Sequence, residues 1–181
     1  SNIFKKAEEM LEEMKLRGIE PDVVTYNSMI GRYIKLNELT KSQELFEEMK
    51  SLGIKPSIIT YNLIAIGYIK SDQIPKGEEI LEEMKLQGIK PDGVTYQSLI
   101  NCYLKSNKIE KAEELLEEMK SNGIKPNIIT YSSILNVYTK TNRYVKGKEL
   151  IRDMKLQGIE PDVVIYSLII DLYIKANQIE K

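Results

Sequence analysis

Two places in this chain vary while their surroundings stay fixed. After each of five tyrosines stands a polar residue, Asn27, Asn62, Gln97, Ser132 and Ser167, and after each of five prolines stands another, Asp22, Ser57, Asp92, Asn127 and Asp162. Asn, Ser and Asp side chains are short, offer hydrogen-bond donors and acceptors, and lose little rotamer entropy when held. That is the chemistry of recognising a polar partner. The residues after proline are equally good helix N-caps, and capping alone would account for their types. Two residues before each tyrosine is an aliphatic side chain, Val24, Ile59, Val94, Ile129 and Val164, of a type that packs between neighbouring elements.

Bond-making chemistry has little to work with. The chain has no histidine and a single cysteine, Cys102. An internal disulfide is therefore excluded, as is a zinc site of histidines or paired cysteines. The commonest general base is missing, together with the usual partner of a serine or cysteine nucleophile. Carboxylates alone could still bind Mg²⁺, but no active site, cofactor or small-molecule substrate is expected.

The elements that position the variable residues are set by repetition. Gly18, Gly53, Gly88, Gly123 and Gly158 are 35 residues apart, as are Pro21, Pro56, Pro91, Pro126 and Pro161, and the series Met14 to Met154. Ten of the eleven tyrosines fall on the same lattice, in the series Tyr26 to Tyr166 and Tyr33 to Tyr173. A strict period in this range predicts an all-α solenoid whose units bury their apolar faces only by stacking. Tyr26, Met29, Ile30 and Tyr33 follow helical spacing, and Tyr96, Leu99, Ile100 and Tyr103 repeat it. A second helix carries Leu45, Phe46 and Met49, with equivalents at Ile80, Leu81 and Met84. Ala7, Ser42, Gly77, Ala112 and Gly147 hold a small residue at one place in it, which allows close helix approach. Gly18 and its equivalents end each second helix, the following proline prevents its continuation, and Pro75 is expected near a helix start.

This frame divides the chain into four full units, 23–57, 58–92, 93–127 and 128–162, with the closing part of a unit at 1–22 and the opening part of one at 163–181. Ser1 is expected after a finished first helix and Lys181 early in a second. Both ends should then present apolar surface for neighbouring units, as in a piece of a longer array. A composition of 42% hydrophobic and 29% charged residues fits a folded domain. No run approaches the roughly 20 apolar residues of a membrane span, and the opening residues show neither a signal peptide nor an Arg-rich transit segment.

The net charge of −1 conceals an uneven distribution. The five stretches of thirteen residues that form the first helices carry Arg32, Lys35, Lys70, Lys105, Lys140 and Lys175 against one acid, Asp171. Glutamates such as Glu47, Glu48, Glu82, Glu83, Glu117 and Glu118 crowd the second helices, where they are expected to form a solvated face. One lysine per unit could track a phosphate backbone. A lysine in the last turn of a helix also interacts favourably with the helix dipole, which would explain the same placement.

The unit VVTYNSMIGRYIKLNELTKSQELFEEMKSLGIKPS, residues 23–57, resembles the pentatricopeptide repeat family, and the resemblance extends over essentially all of the chain. The tetratricopeptide repeat has a period of about 34 and a Trp, Leu-Gly and Ala-Phe signature not seen here. The resemblance implies a right-handed α-solenoid that binds single-stranded RNA at about one base per repeat. It implies that the residue after each tyrosine and the residue after the next unit's proline jointly select a base, and that the five aliphatic residues sandwich the bases.

By the same resemblance Asn27 with Ser57 favours cytosine, Asn62 with Asp92 uracil, and Ser132 with Asp162 guanine, while Gln97 with Asn127 is unassigned. Asp22 would suit uracil or guanine and Ser167 a purine. RNA read 5′ to 3′ from the N-terminus gives a central C-U-N-G. Family membership also implies a mitochondrion or plastid and a role in RNA processing, stability or translation. The competing expectation is a protein-interaction scaffold in a ribonucleoprotein or transcription complex, with the acidic second helices as its contact surface. A nuclease-like or deaminase-like tail, known in the family, finds no motif in these residues.

Overall fold

In the computed structural model the backbone of residues 2–179 and the side chains of residues 5–176 are described, and they contain ten α-helices and no strand. The positions Ser1 and Lys181 lie outside the described residues. The helices are α1 (Asn2–Leu16), α2 (Val23–Lys35), α3 (Leu39–Ser51), α4 (Ile58–Lys70), α5 (Ile74–Leu86), α6 (Gly93–Lys105), α7 (Ile109–Ser121), α8 (Ile128–Lys140), α9 (Tyr144–Leu156) and α10 (Val163–Ile179).

Two compact units divide between residues 90 and 91. In the first, α2 packs on α3 and α4, and α4 packs on α3 and α5. Its core holds Tyr26, Ile30, Phe46, Met49, Tyr61 and Ile64, with Leu11 from α1. In the second, α6 packs on α7 and α8, and α8 packs on α9 and α10. Tyr96, Ile100, Tyr131 and Ile134 are buried there. Each unit is a stack of helical hairpins, the arrangement of an α-solenoid, in which first helices pack on first helices.

The turns explain why the chain breaks where it does. At the end of α3 the Gly53 N–H donates to the Lys50 carbonyl and the Ile54 N–H to the Met49 carbonyl, a Schellman ending with Gly53 at φ +75°. The first helices end in the same way without glycine. Asn37, Asp72, Asn107 and Asn142 occupy left-handed backbone, and Glu38 N–H returns to the Tyr33 carbonyl. Asn and Asp tolerate that conformation better than other side chains. Pro75 sits in the first turn of α5, where its missing N–H has no helical partner to lose.

The small residues mark close approaches, as their spacing predicts. A Cβ on Gly77 would lie 2.9 Å from Ile69 Cγ1, and one on Gly147 would lie 2.8 Å from Leu172 Cδ2. Ser42 and Ala112 are fully buried at the equivalent positions.

The second-helix acids are not simply a solvated face. Tyr26 Oη donates to Glu48 at 2.7 Å, Tyr61 to Glu83 at 3.2 Å, Tyr96 to Glu118 at 3.0 Å and Tyr131 to Asp153 at 2.8 Å. Lysines of the preceding second helix also reach carboxylates of this set: Lys15 to Glu48 at 2.8 Å, Lys50 to Glu83 at 3.3 Å and Lys120 to Asp153 at 3.1 Å. Burying a tyrosine obliges its hydroxyl to find a partner, so one acid in each of these helices turns inward. A second set joins Tyr33 to Glu8 and Tyr138 to Glu113.

α10 departs from the expected break. The other first helices end at the lysine and turn at an Asn or Asp, whereas α10 runs through Asn177 to Ile179. Among the described residues no helix follows α10, and its tyrosines Tyr166 and Tyr173 are half exposed where Tyr26, Tyr61, Tyr96 and Tyr131 are buried.

Tyr61 is pushed up to about 12 by burial first and then by the Glu83 charge and hydrogen bond. An unfolded tyrosine titrates near 10, so between these values the folded chain holds more protons than the unfolded chain. Its contribution to stability is intact below about pH 10 and declines as pH rises through the window. Urea-unfolding midpoints measured across this range are expected to fall with pH in the wild type and to fall less steeply in Tyr61→Phe.

Candidate functional site

The five residues after proline are N-caps with extended backbone or cap bonding. Asp22 Oδ1 accepts from the Thr25 N–H at 2.8 Å and its hydroxyl at 2.9 Å, and Asp92 Oδ1 accepts from the Thr95 N–H and hydroxyl, both at 2.8 Å. Ser57 Oγ accepts from the Thr60 N–H at 3.3 Å, Asn127 Oδ1 from the Thr130 N–H at 2.9 Å, and Asp162 Oδ1 from the Ile165 N–H at 2.9 Å. The Thr25 N–H first, then its hydroxyl, holds the Asp22 carboxyl below the usual carboxylate range, and Thr95 does the same to Asp92. Capping is therefore a real function of this position. It explains why the residues are Asp, Ser and Asn as a class, but not which of them stands in which unit.

Within the units, Asn27 meets Ser57 and Gln97 meets Asn127. Asn27 Nδ2 donates to Ser57 Oγ at 3.3 Å, and Asn127 Nδ2 donates to Gln97 Oε1 at 3.0 Å. The Ser132 hydroxyl instead donates to the Ile129 carbonyl of its own helix at 3.0 Å, and Ser167 does likewise to Val163 at 2.9 Å. Asn62 stands in the second turn of α4, and Asp92 is the N-cap of α6.

Beside these polar groups, the aliphatic residues do not pack into the protein. Val24 is 65% exposed, Ile59 57%, Val94 70%, Ile129 52% and Val164 58%. Their chain neighbours Val23 and Ile58, of the same type, pack against the core. Each exposed aliphatic residue lies three positions before the variable residue of its helix, so the two share one face. Packing between repeats is thus not what this position does.

The lysines complete that face. Lys35, Lys70, Lys105 and Lys140 are the last residues of their helices, are exposed, and make no ion pair among the described residues. Val24 and Lys35 are eleven residues apart, about 16 Å along a straight helix, and return to the same side after three turns. Lys175 differs, being paired with Asp171 at 2.9 Å. Among the described residues no group of three or more His, Cys, Asp or Glu side chains could hold a metal ion. No helix there is long and apolar enough to cross a membrane.

This combination of hairpin repeat, capped polar pair and exposed aliphatic residue has relatives. Family models match the chain as pentatricopeptide repeat domain at residues 79–141, as PPR repeat family at 1–31, 21–70 and 126–175, and as PPR repeat at 59–89. The chain belongs to the pentatricopeptide repeat family. The crystal structure of the pentatricopeptide repeat protein PPR10 from maize superposes with a TM-score of 0.77 at 29% identity, covering 94% of this chain and 24% of that one. PPR10 in complex with an 18-nt psaJ RNA element gives 0.76 at 32% identity, covering 93% and 25%. The PPR domain of Arabidopsis thaliana protein-only RNase P 1, in complex with tRNA, shares the fold with a TM-score of 0.73 at 16% identity, covering 94% and 90%. The present chain spans about a quarter of the PPR10 chains. No curated protein sequence matches it.

Because the aliphatic residues are exposed, Ile129→Ser is expected to leave the free energy of urea unfolding within about 0.5 kcal/mol of wild type, the range of ordinary surface changes. A loss of several kcal/mol would assign Ile129 to the core.

Proposed function

We propose that this chain binds single-stranded RNA, one base per full repeat, with C-U-N-G as its central preferred sequence read 5′ to 3′. The observation that carries the reading is the exposure of one aliphatic side chain in each of five first helices, next to a polar side chain that varies between repeats. Isolated surface aliphatics are common, but the same exposed residue in every repeat marks a contact surface. A nucleobase fits it, because its faces are apolar and its edge carries donors and acceptors. Asp92 and Asp162 provide acceptors, suited to the N–H of uracil or guanine, and Asn27 retains an amide N–H for an acceptor such as cytosine N3. RNA-bound PPR10 supports the partner class.

In this reading Val24, Ile59, Val94 and Ile129 stack on the bases, while Lys35, Lys70, Lys105 and Lys140 hold phosphates. Asp22, Val164 and Ser167 would serve incomplete units. Family resemblance points to a mitochondrion or plastid, and to processing, stability or translation of RNA there.

Selection from a random RNA pool at two salt concentrations, followed by sequencing of the bound fraction, tests the proposal. Enrichment of C-U-N-G is expected, with a log–log salt slope of roughly −2.8 for four phosphate contacts on a single strand. Replacing the four lysines with Ala should weaken all sequences alike and flatten that slope. A pool with no enriched sequence and no salt-sensitive binding would turn the assignment towards a protein-interaction scaffold.

Asn62→Ser should move the preferred base at the second full repeat from uracil towards guanine, since Ser-Asp then replaces Asn-Asp. Competition between RNAs differing only at that base reads the change, and an unaltered ratio would make Asn62 structural.

A further inference from the structure

The hydroxyl of the threonine at the third position of a first helix reaches beyond its cap. Thr60 Oγ1 donates to Asn27 Oδ1 at 2.7 Å, across to the preceding repeat. The same oxygen accepts the Ser57 N–H at 2.9 Å and lies 3.1 Å from Ser57 Oγ. With one proton of its own, Thr60 gives it to Asn27 and uses its lone pairs for Ser57. Asn27 Oδ1 is then held inward, Asn27 Nδ2 gives one N–H to Ser57 Oγ, and its second N–H is left for a ligand. Thr60 itself is fully buried, so its hydroxyl orientation is set by these neighbours.

The second unit has a related arrangement. Thr130 Oγ1 donates to Asn127 Oδ1 at 3.1 Å, beside the backbone N–H of Thr130 at 2.9 Å. These bonds fix the Asn127 amide so that its nitrogen faces Gln97 Oε1, which leaves the Gln97 amide nitrogen as the remaining donor. In the final first helix Ile165 replaces the threonine. Asp162 there keeps only the Ile165 N–H in its cap, and Ser132 turns to its own helix.

We infer that the threonine at this third position is a positioning residue for base selection, orienting the polar pair so that an amide N–H faces the RNA. The inference rests on the RNA-binding reading above. Without the hydroxyl, the Asn27 amide can reverse and offer its oxygen instead, which would accept a uracil N–H as readily as its nitrogen donates to cytosine N3. Base preference should therefore suffer more than binding.

The chain of residues 1–181 is titrated with RNAs that differ only in cytosine or uracil at the place of the first full repeat. An intact pair should favour cytosine about tenfold, the worth of one hydrogen bond. Thr60→Val, which keeps the branched shape, is expected to bring that ratio to about twofold or less. It should leave the guanine preference at the Ser132/Asp162 repeat unchanged, and Thr60→Ser should keep the wild-type ratio. Urea unfolding verifies that each variant is folded. If Thr60→Val does not fold, Thr130→Val decides: it frees the Asn127 amide by the same route, and should shift the wild-type base ratio at the Gln97/Asn127 repeat about threefold or more. Wild-type discrimination that persists in Thr60→Val, or an unchanged ratio in Thr130→Val, would overturn the inference alone. Absence of any RNA preference in the wild type would overturn the RNA-binding reading and this inference with it.

Discussion

A tyrosine buried near the start of a hairpin's first helix brings a large apolar ring and a hydroxyl that must not be stranded. Here the hydroxyls of Tyr26, Tyr61, Tyr96 and Tyr131 each find a carboxylate 22 residues further on, in the second helix of the same hairpin. The carboxylate is in turn met by a lysine from the preceding hairpin at Glu48, Glu83 and Asp153. Hydrogen bonds to charged groups contribute about 1.5–3 kcal/mol, and these also specify geometry. The first bond sets how the two helices of a hairpin lean together, and the second sets how one hairpin seats on the last. Within each unit the rest of the fold depends on that registration, because a hairpin alone has no enclosed core.

Registration leaves the opposite side of each first helix free. Its N-terminal turn carries the cap, the exposed aliphatic residue and the variable polar residue, and its last residue is a lysine. The acids are drawn towards the second helices, where tyrosines and lysines engage several of them. A chain with almost no net charge can thus present a cationic, locally apolar face without paying for a large excess of basic residues.

The position after proline shows how one side chain caps a helix and, in the proposed RNA-binding reading, also faces a base. As an N-cap it satisfies a helix N–H, which restricts it to short oxygen-bearing residues. Asp, Asn and Ser meet that demand equally, yet differ in what they show to a partner: only acceptors, both donor and acceptor, or a rotatable hydroxyl. Capping therefore constrains the class of residue but not its identity, which the proposed reading assigns to base selection. The threonine three positions later couples the cap to the pair, most plainly where Thr60 joins Asn27 and Ser57.

The sequence by itself determined the period, the helix boundaries at Lys35, Lys70, Lys105 and Lys140, the glycine turns and the small residues of the close approaches, because each follows from local periodicity and backbone preference. The family frame also matched the residue after each tyrosine with the residue after the next proline, and the structure joins Asn27 to Ser57 and Asn127 to Gln97. The sequence could not separate Val23 from Val24, or Ile58 from Ile59, since identical types differ only in which neighbour lies over them. Nor could it tell Glu48, bonded to Tyr26, from Glu47 beside it, or foresee Lys175 paired with Asp171. Tertiary structure decided such matters, because burial and pairing are properties of neighbours distant in the chain, whereas helical periodicity is written within a few residues.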